Sequence, residues 1–370
     1  MIVVEAPPRA DAAQDVPRAR VMICDDSAVI RAALARILEA DPAVRVVARA
    51  GNGRQAVDEL RRQGAGGIDV VVLDVEMPVM DGLAALPLLL DASPGLRVVM
   101  ASTLTTRGAD VALRALRLGA ADYVPKPGAA SVAGDDGFAR ELLAKVKGLA
   151  RLRQRGVAPV PPAFDPAARP APARPPVLLA IGSSTGGPQA LFALVRGLGP
   201  RLGVPVVLTQ HMPASFTPIL AEHIARLGAL PCAEARNGEP LSPGRIYLAP
   251  GNRHLLVRAG AGGGGGLRAE LSDDPPENFC RPSVDPMLRS AAASCDGRVL
   301  VTMLTGMGHD GLDGTRAVIA AGGAALAQDE ATSVVWGMPG AVARAGLCHA
   351  VLPLPALAPK ILQMLPAAGR

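Results

Sequence analysis

Short runs of β-branched and aliphatic residues recur along the first part of the chain, separated by stretches whose apolar positions fall at helical spacing. Residues 20–24, 44–48, 70–73, 97–100 and 122–124 read as strands, and 28–40 and 82–90 between them as helices. Repeated strand-helix alternation predicts a parallel sheet with helices packed on it. The pattern breaks at residues 155–176, where proline and alanine dominate and predict an extended spacer. It then resumes at 177–181, 204–209, 245–248, 298–304 and 324–327, with longer loops and a β excursion at 255–272. The glycine run at 260–266 inside that excursion has no Lys, Ser or Thr at phosphate-loop spacing and reads as a flexible hairpin loop. The chain is therefore expected to fold as two α/β domains, the second doubly wound with a β-hairpin excursion.

Composition sharpens this picture. A length of 370 residues exceeds one ordinary core and fits two. Hydrophobic residues make up 49% of the chain but aromatic ones only 2%, so Ala, Val and Leu must fill the interior. The longest apolar runs, such as 70–73 and 177–181, fall far short of the ~20 residues that span a bilayer. The first twenty residues contain Glu5, Asp11 and Asp15, so neither a signal peptide nor membrane insertion is expected. Five scattered cysteines (Cys24, Cys232, Cys280, Cys295, Cys348) lack CxxC or metal-ligand spacing, which fits a reducing cytoplasm. The net charge of +5 comes from dispersed arginines with no basic block interleaved with aromatics, which argues against nucleic acid as a partner.

Two sets of residues carry candidate chemistry. In parallel sheets ligands gather at the carboxyl ends of strands, and three such ends in the first domain carry Asp25-Asp26, Asp74 and Lys126. Converging carboxylates suit a hard cation such as Mg²⁺, and a lysine opposite them can neutralise a phosphoryl group. For Asp25 or Asp26 alone, next to Ser27, helix capping explains the residue equally well.

In the second domain the first strand runs into GSSTGG at 182–187, followed by Pro188. That segment suits either a phosphate-cradling loop or a nucleophile turn, since residues 182–186 satisfy G-x-S-x-G. A dinucleotide site would need an acid at the end of the next strand, but that strand ends in Thr209-Gln210-His211. Histidine there is what a serine nucleophile needs, and Asp310, in the glycine-rich loop after residues 298–304, can orient it. His309 beside Asp310 competes for the base, while His223, His254 and His349 lack a catalytic context. The order Ser, His, Asp differs from that of α/β-hydrolases, which excludes that fold despite the motif.

The segments CDDS (24–27), LDVEMPVMDG (73–82), VMAST (99–103) and YVPKP (123–127) resemble the receiver domain of response regulators. IGSSTGGP, LTQHMP, APGNRH, RPSVDPML and LTGMGHDG resemble the catalytic domain of chemotaxis protein-glutamate methylesterases, the CheB family. The resemblance implies a flavodoxin-like receiver with a five-stranded parallel sheet at 19–140, preceded by an extension at 1–18. It further implies a helix end and linker at 141–176 and a methylesterase domain at 177–365. In the receiver it implies that Asp74 accepts phosphate from a histidine kinase, with Mg²⁺ on Asp26, Asp74 and the Glu76 backbone carbonyl and Asp25 acting through water. Lys126 would contact the phosphoryl group, Ser102 or its neighbour Thr103 would be the switch hydroxyl, Tyr123 the switch aromatic, and Pro127 a cis-proline. In the second domain Ser184, His211 and Asp310 would hydrolyse glutamyl methyl esters of chemoreceptors and deamidate receptor glutamines. The esterase reaction would need no cofactor, and loop position suggests Thr185 and Met307 as oxyanion donors. Ser183 stands where the family pattern has Ala, with Ser184 at the motif centre. Arg281, Ser283 and Asp285 would either touch the receptor or form an Arg281–Asp285 ion pair at a helix start. A response regulator whose output half only binds a partner is the alternative from another class.

Overall fold

The computed structural model describes residues 18–366 apart from 65, 104, 127–135, 156–171, 173, 201 and 261–265. The extension before residue 18, Pro127, most of the spacer and the centre of the glycine run lie outside the described residues.

The N-terminal sheet is built from β1 (Ala19–Cys24), β2 (Val44–Ala50), β3 (Val70–Asp74), β4 (Arg97–Thr103) and β5 (Asp122–Lys126), ordered β2-β1-β3-β4-β5 and parallel throughout. Helices α1 (Ala28–Glu39), α2 (Gly53–Gln63), α3 (Gly82–Ala92), α4 (Thr106–Arg117) and α5 (Asp136–Arg155) cover its faces. Val70 to Leu73 are all buried, the mark of a strand enclosed on both faces. Helix starts are set locally: the side chains of Ser27, Asn52, Asp81 and Thr105 accept backbone N–H groups of the first turns of α1 to α4.

The second sheet has seven parallel strands, β6 (Leu178–Ser183), β7 (Val206–Gln210), β8 (Cys232–Glu234), β9 (Ile246–Leu248), β12 (Val299–Met303), β13 (Ala324–Gln328) and β14 (Ala350–Leu352). Their order is β14-β13-β12-β6-β7-β9-β8. The antiparallel pair β10 (His254–Ala259) and β11 (Leu267–Ser272) forms the excursion, closed by Gly260 N–H donating to Gly266 O at 2.8 Å. Helices α6 (Gly187–Leu198), α7 (Thr217–Ala225), α8 (Val284–Ser294), α9 (Leu312–Ala320), α10 (Met338–Arg344) and α11 (Leu354–Met364) complete the domain. The chain winds outward from β6 through β7 and β9, then returns to β12 on the other side of β6. That reversal is a topological switch point, and the ends of β12, β6 and β7 open side by side into one crevice. Strand β8, only three residues long, was too short to show a full period in the sequence, whereas β9 falls within the expected 245–248 strand.

Candidate active site and phosphoacceptor site

Backbone geometry puts Ser184 at the crevice. Ser183, the last residue of β6, is fully buried and donates its Oγ to Gln210 Oε1 at 2.7 Å, whereas Ser184 is partly exposed. Gln210 Nε2 donates to Ser184 O at 2.9 Å, which ties the turn to the end of β7. Gly186 adopts φ 73°, and a Cβ there would lie 2.4 Å from Val334 Cγ2, so only glycine closes this turn into α6. Among the described residues the backbone N–H groups of Thr185 and Met307 have no hydrogen-bond partner, and both residues line the same cleft as Ser184.

His211 follows β7 and Asp310 follows β12. His211 Nε2 lies 2.7 Å from Asp310 Oδ2. Asp310 is 2% exposed and also accepts from Val284 N–H (2.6 Å), Asp285 N–H (3.2 Å), Ser283 Oγ (2.7 Å) and Asn278 Nδ2 (3.0 Å). The N-terminus of α8 thus points its free amides at the carboxylate. Burial opposes ionisation of Asp310, but His211 and these donors outweigh it and hold its pKa below the ordinary value. For His211, burial disfavours the imidazolium, yet Asp310 and Cys280 prevail and its pKa is raised.

The second imidazole nitrogen holds the main surprise. Nδ1 lies 3.4 Å from Cys280 Sγ, and no hydrogen bond joins Ser184 Oγ to the ring among the described residues. In the neutral ring, an Nε2–H donated to Asp310 leaves Nδ1 as the acceptor, and that nitrogen faces the Cys280 thiol. The sequence reading missed Cys280 and Asn278; the only local signal was their place in the loop leading into RPSVDPML. Residues Asn278 and Phe279 both have left-handed backbones (φ 53° and 62°), a conformation that costs non-glycine residues about 1–3 kcal/mol. His309 is exposed, while His211 holds the carboxylate.

The Arg281–Asp285 ion pair considered for the RPSVDPML segment does not form. Asp285 is buried and accepts from Gly314 N–H (2.5 Å) and Asn278 (2.8 Å), and Arg281 binds Asn252 and the Asp273 and Asp274 carbonyls instead. Ser283 and Asp285 are both buried within the hydrogen-bond network around Asp310.

The pH dependence follows from the His211 direction. An imidazole that is to take a proton from Ser184 must be neutral, so any hydrolytic kcat/KM that depends on His211 should rise along a limb whose midpoint lies above the ordinary value of 6.5. The pair's contribution to stability has the opposite sense. It is complete between about 3.8 and 6.5 and lost as pH rises through the folded-state pKa of His211. A rate profile corrected for enzyme-free hydrolysis checks this, and a midpoint below 6.5 would contradict it.

At the N-terminal sheet, carboxylate oxygens of Asp25, Asp26 and Asp74 lie within 4.8 Å of one another, oxygen-only donors of the kind hard cations take. Lys126 Nζ bridges Asp25 Oδ2 (2.5 Å) and Asp74 Oδ1 (2.7 Å). Burial raises the Asp74 pKa above its ordinary value against the pull of Lys126. The Glu76 side chain is exposed and lies 3.8 Å from Arg107. Ser102 is buried and donates to Gly108 O at 2.8 Å; the Thr103 side chain lies outside the described residues.

The two domains meet at the crevice. The Tyr123 ring stacks on Phe216 with centroids 4.7 Å apart, and Asp122 Oδ2 accepts the Gly186 N–H at 2.9 Å. Arg151 binds Glu330 Oε1 at 2.9 Å. Tyr123, Pro125, Arg140 and Glu141 share with Ser184, His211 and Asp310 the lining of a cleft of about 670 Å³.

A five-stranded parallel sheet that carries an acid-and-lysine pocket, packed through Asp122 and Tyr123 against a second sheet whose strand ends bear Ser, His and Asp, defines a response regulator with a hydrolase-type output domain. Comparison narrows the class. The description "Response regulator receiver domain" matches residues 21–132 and "CheB methylesterase" matches residues 179–361. A protein-glutamate methylesterase/protein-glutamine glutaminase of Paramagnetospirillum magneticum is 51% identical over 93% of this chain and 96% of its own. One from Azospirillum brasilense is 53% identical over 92% of this chain and 91% of its own. The crystal structure of the Thermotoga maritima CheB methylesterase catalytic domain aligns at 36% identity with TM-score 0.49, covering 51% of this chain and 99% of that one. The chain belongs to the protein-glutamate methylesterase/protein-glutamine glutaminase family. Among the described residues no helix is long and apolar enough to cross a membrane.

Proposed function

We propose that this protein removes methyl groups from glutamyl methyl esters of chemoreceptors and deamidates receptor glutamines, in the cytoplasm and under control of phosphorylation by a histidine kinase. The single observation that carries the hydrolytic reading is the 2.7 Å pairing of His211 with the buried, five-donor Asp310 at the mouth shared with Ser184. Ser184 Oγ attacks the ester carbonyl as His211 Nδ1 takes its proton. Asp310 stabilises the imidazolium, and the proton passes to the departing methanol. Water then attacks the acyl-enzyme by the same route and leaves a glutamate carboxylate. The free N–H groups of Thr185 and Met307 are the donors for the oxyanion, a role worth about 10²- to 10³-fold in rate. For Nδ1 to take the serine proton, Cys280 must yield it, so the resting arrangement rearranges before attack. With a glutamine substrate, the proton goes to the leaving ammonia instead.

Asp74 is the phosphoacceptor. Asp26 and Asp74 with the Glu76 backbone carbonyl would hold Mg²⁺, Asp25 would act through water, and the ion when bound neutralises charge on the phosphoryl oxygens. A phosphoryl group on Asp74 takes Lys126 away from the carboxylates and offers Ser102 a new acceptor in place of Gly108 O. Tyr123, on the same strand as Lys126, lies against Phe216, so a shift of β5 loosens the face that covers the cleft. Each ~1.4 kcal/mol by which phosphorylation disfavours docking opens about tenfold more sites.

Methanol release from methylated receptor membranes, with and without Mg²⁺ and acetyl phosphate, tests this reading. Wild type should be stimulated about tenfold or more, and Asp74→Asn should show no difference with and without the phosphodonor. Equal stimulation of the variant would remove Asp74 from the mechanism.

A further inference from the structure

We infer that Phe279 is a substrate-recognition residue that packs against the protein helix carrying the scissile group; this rests on the esterase reading above. Glu277 and Cys280 exchange backbone hydrogen bonds of 3.1 and 2.9 Å, which makes Asn278-Phe279 the centre of a tight two-residue turn. Both central residues are left-handed (φ 53° and 62°), a geometry in which asparagine is common at the first position and glycine the rule at the second. Here the second position holds one of only five phenylalanines in the chain, and it is 104% exposed. The side chain contributes nothing to the interior, yet the backbone is held in a conformation that glycine would take without strain.

The turn is also fixed from both sides by the catalytic groups. Asn278 Nδ2 donates to Asp310 and Asp285, Cys280 Sγ contacts His211, and Glu277 pairs with Arg289 at 2.6 Å. Phe279 therefore stands at a fixed offset from the reacting atoms, on the wall of the cleft that holds Ser184. Met307, the other exposed apolar side chain lining that cleft, is 39% exposed. An aromatic ring on a fixed backbone beside an esterase mouth fits the apolar side of an amphipathic helix whose ester-bearing side chain enters the cleft, because a ring with only two side-chain torsions loses little entropy on docking. A small soluble ester has no such helix and cannot use the contact.

The test uses the full-length protein with Mg²⁺ and acetyl phosphate. Phe279→Gly removes the ring and relieves the turn, so its melting temperature should equal or exceed that of wild type. On methylated receptor membranes its KM should rise about tenfold or more with kcat retained. On a soluble N-acyl glutamate γ-methyl ester, kcat/KM should change by less than about twofold. Co-sedimentation of Ser184→Ala and Ser184→Ala/Phe279→Gly with the same membranes reads binding without turnover and should show the same tenfold loss. Unchanged KM and unchanged co-sedimentation in Phe279→Gly would overturn the inference, as would an equal loss on both substrates. Receptor membranes that bind in a Phe279-dependent way but release no methanol would uphold it and reject the serine mechanism instead.

Discussion

Ser184→Ala is expected to lower methanol release by about 10⁴- to 10⁶-fold, to the level supported by binding and oxyanion contacts alone. The loss should be chemical and not structural. Ser184 Oγ has no hydrogen bond among the described residues, and the turn is held by main-chain contacts that alanine keeps: Ser184 N–H to Thr305 O at 3.0 Å and Ser184 O from Gly187 N–H at 2.8 Å. Thermal unfolding should therefore match wild type, and receptor membranes should still bind. Ser183→Ala is the control. It removes the 2.7 Å bond to Gln210, which would loosen the turn and cost about 1 kcal/mol of stability, while activity survives. If Ser183→Ala lost activity and Ser184→Ala did not, the nucleophile would be the other hydroxyl.

Asp310→Asn should lower kcat by about 10⁴-fold, for reasons visible in the carboxylate's surroundings. Its oxygens accept from His211, Asn278, Ser283 and the first amides of α8, and an amide must turn a donor towards some of them. Leaving such buried donors unmet costs about 1–3 kcal/mol, so the variant should also unfold at lower temperature. The pH response separates the two effects. Without the carboxylate the His211 pKa falls, so the residual activity should titrate with a midpoint at lower pH than wild type, the opposite of what general unfolding produces. At acid pH the sign for Asp310 itself is the usual one. A depressed folded-state pKa contributes stability present above the ordinary value of 3.8 and lost as pH falls below it.

Docking of the first domain over the crevice gives these measurements their regulatory context. Asp122 is buried and accepts the Gly186 N–H in the turn after β6, while Lys145 lies 3.3 Å from the same carboxylate. That hydrogen bond joins β5 directly to the turn, two residues from Ser184.

The amino-acid sequence by itself determined the two parallel sheets and the strand ends at which chemistry collects. Strand and helix periods are local, and so is the rule that turns after parallel strands present their side chains to a crevice. Asp25, Asp26, Asp74 and Lys126 could thus be grouped from separate segments, as could Ser184, His211 and Asp310. Only the tertiary structure decided what surrounds them. The contacts of Cys280 with His211, Gly186 with Asp122 and Ser283 with Asp310 span 69, 64 and 27 residues, and no periodicity encodes them. The same holds for Asp285, which reads as a surface charge at a helix start and is buried because α9 supplies the Gly314 amide to its carboxylate. Which imidazole nitrogen faces the acid, and which thiol holds the other, depends on how loops from different strands meet, and that is fixed by packing the whole domain.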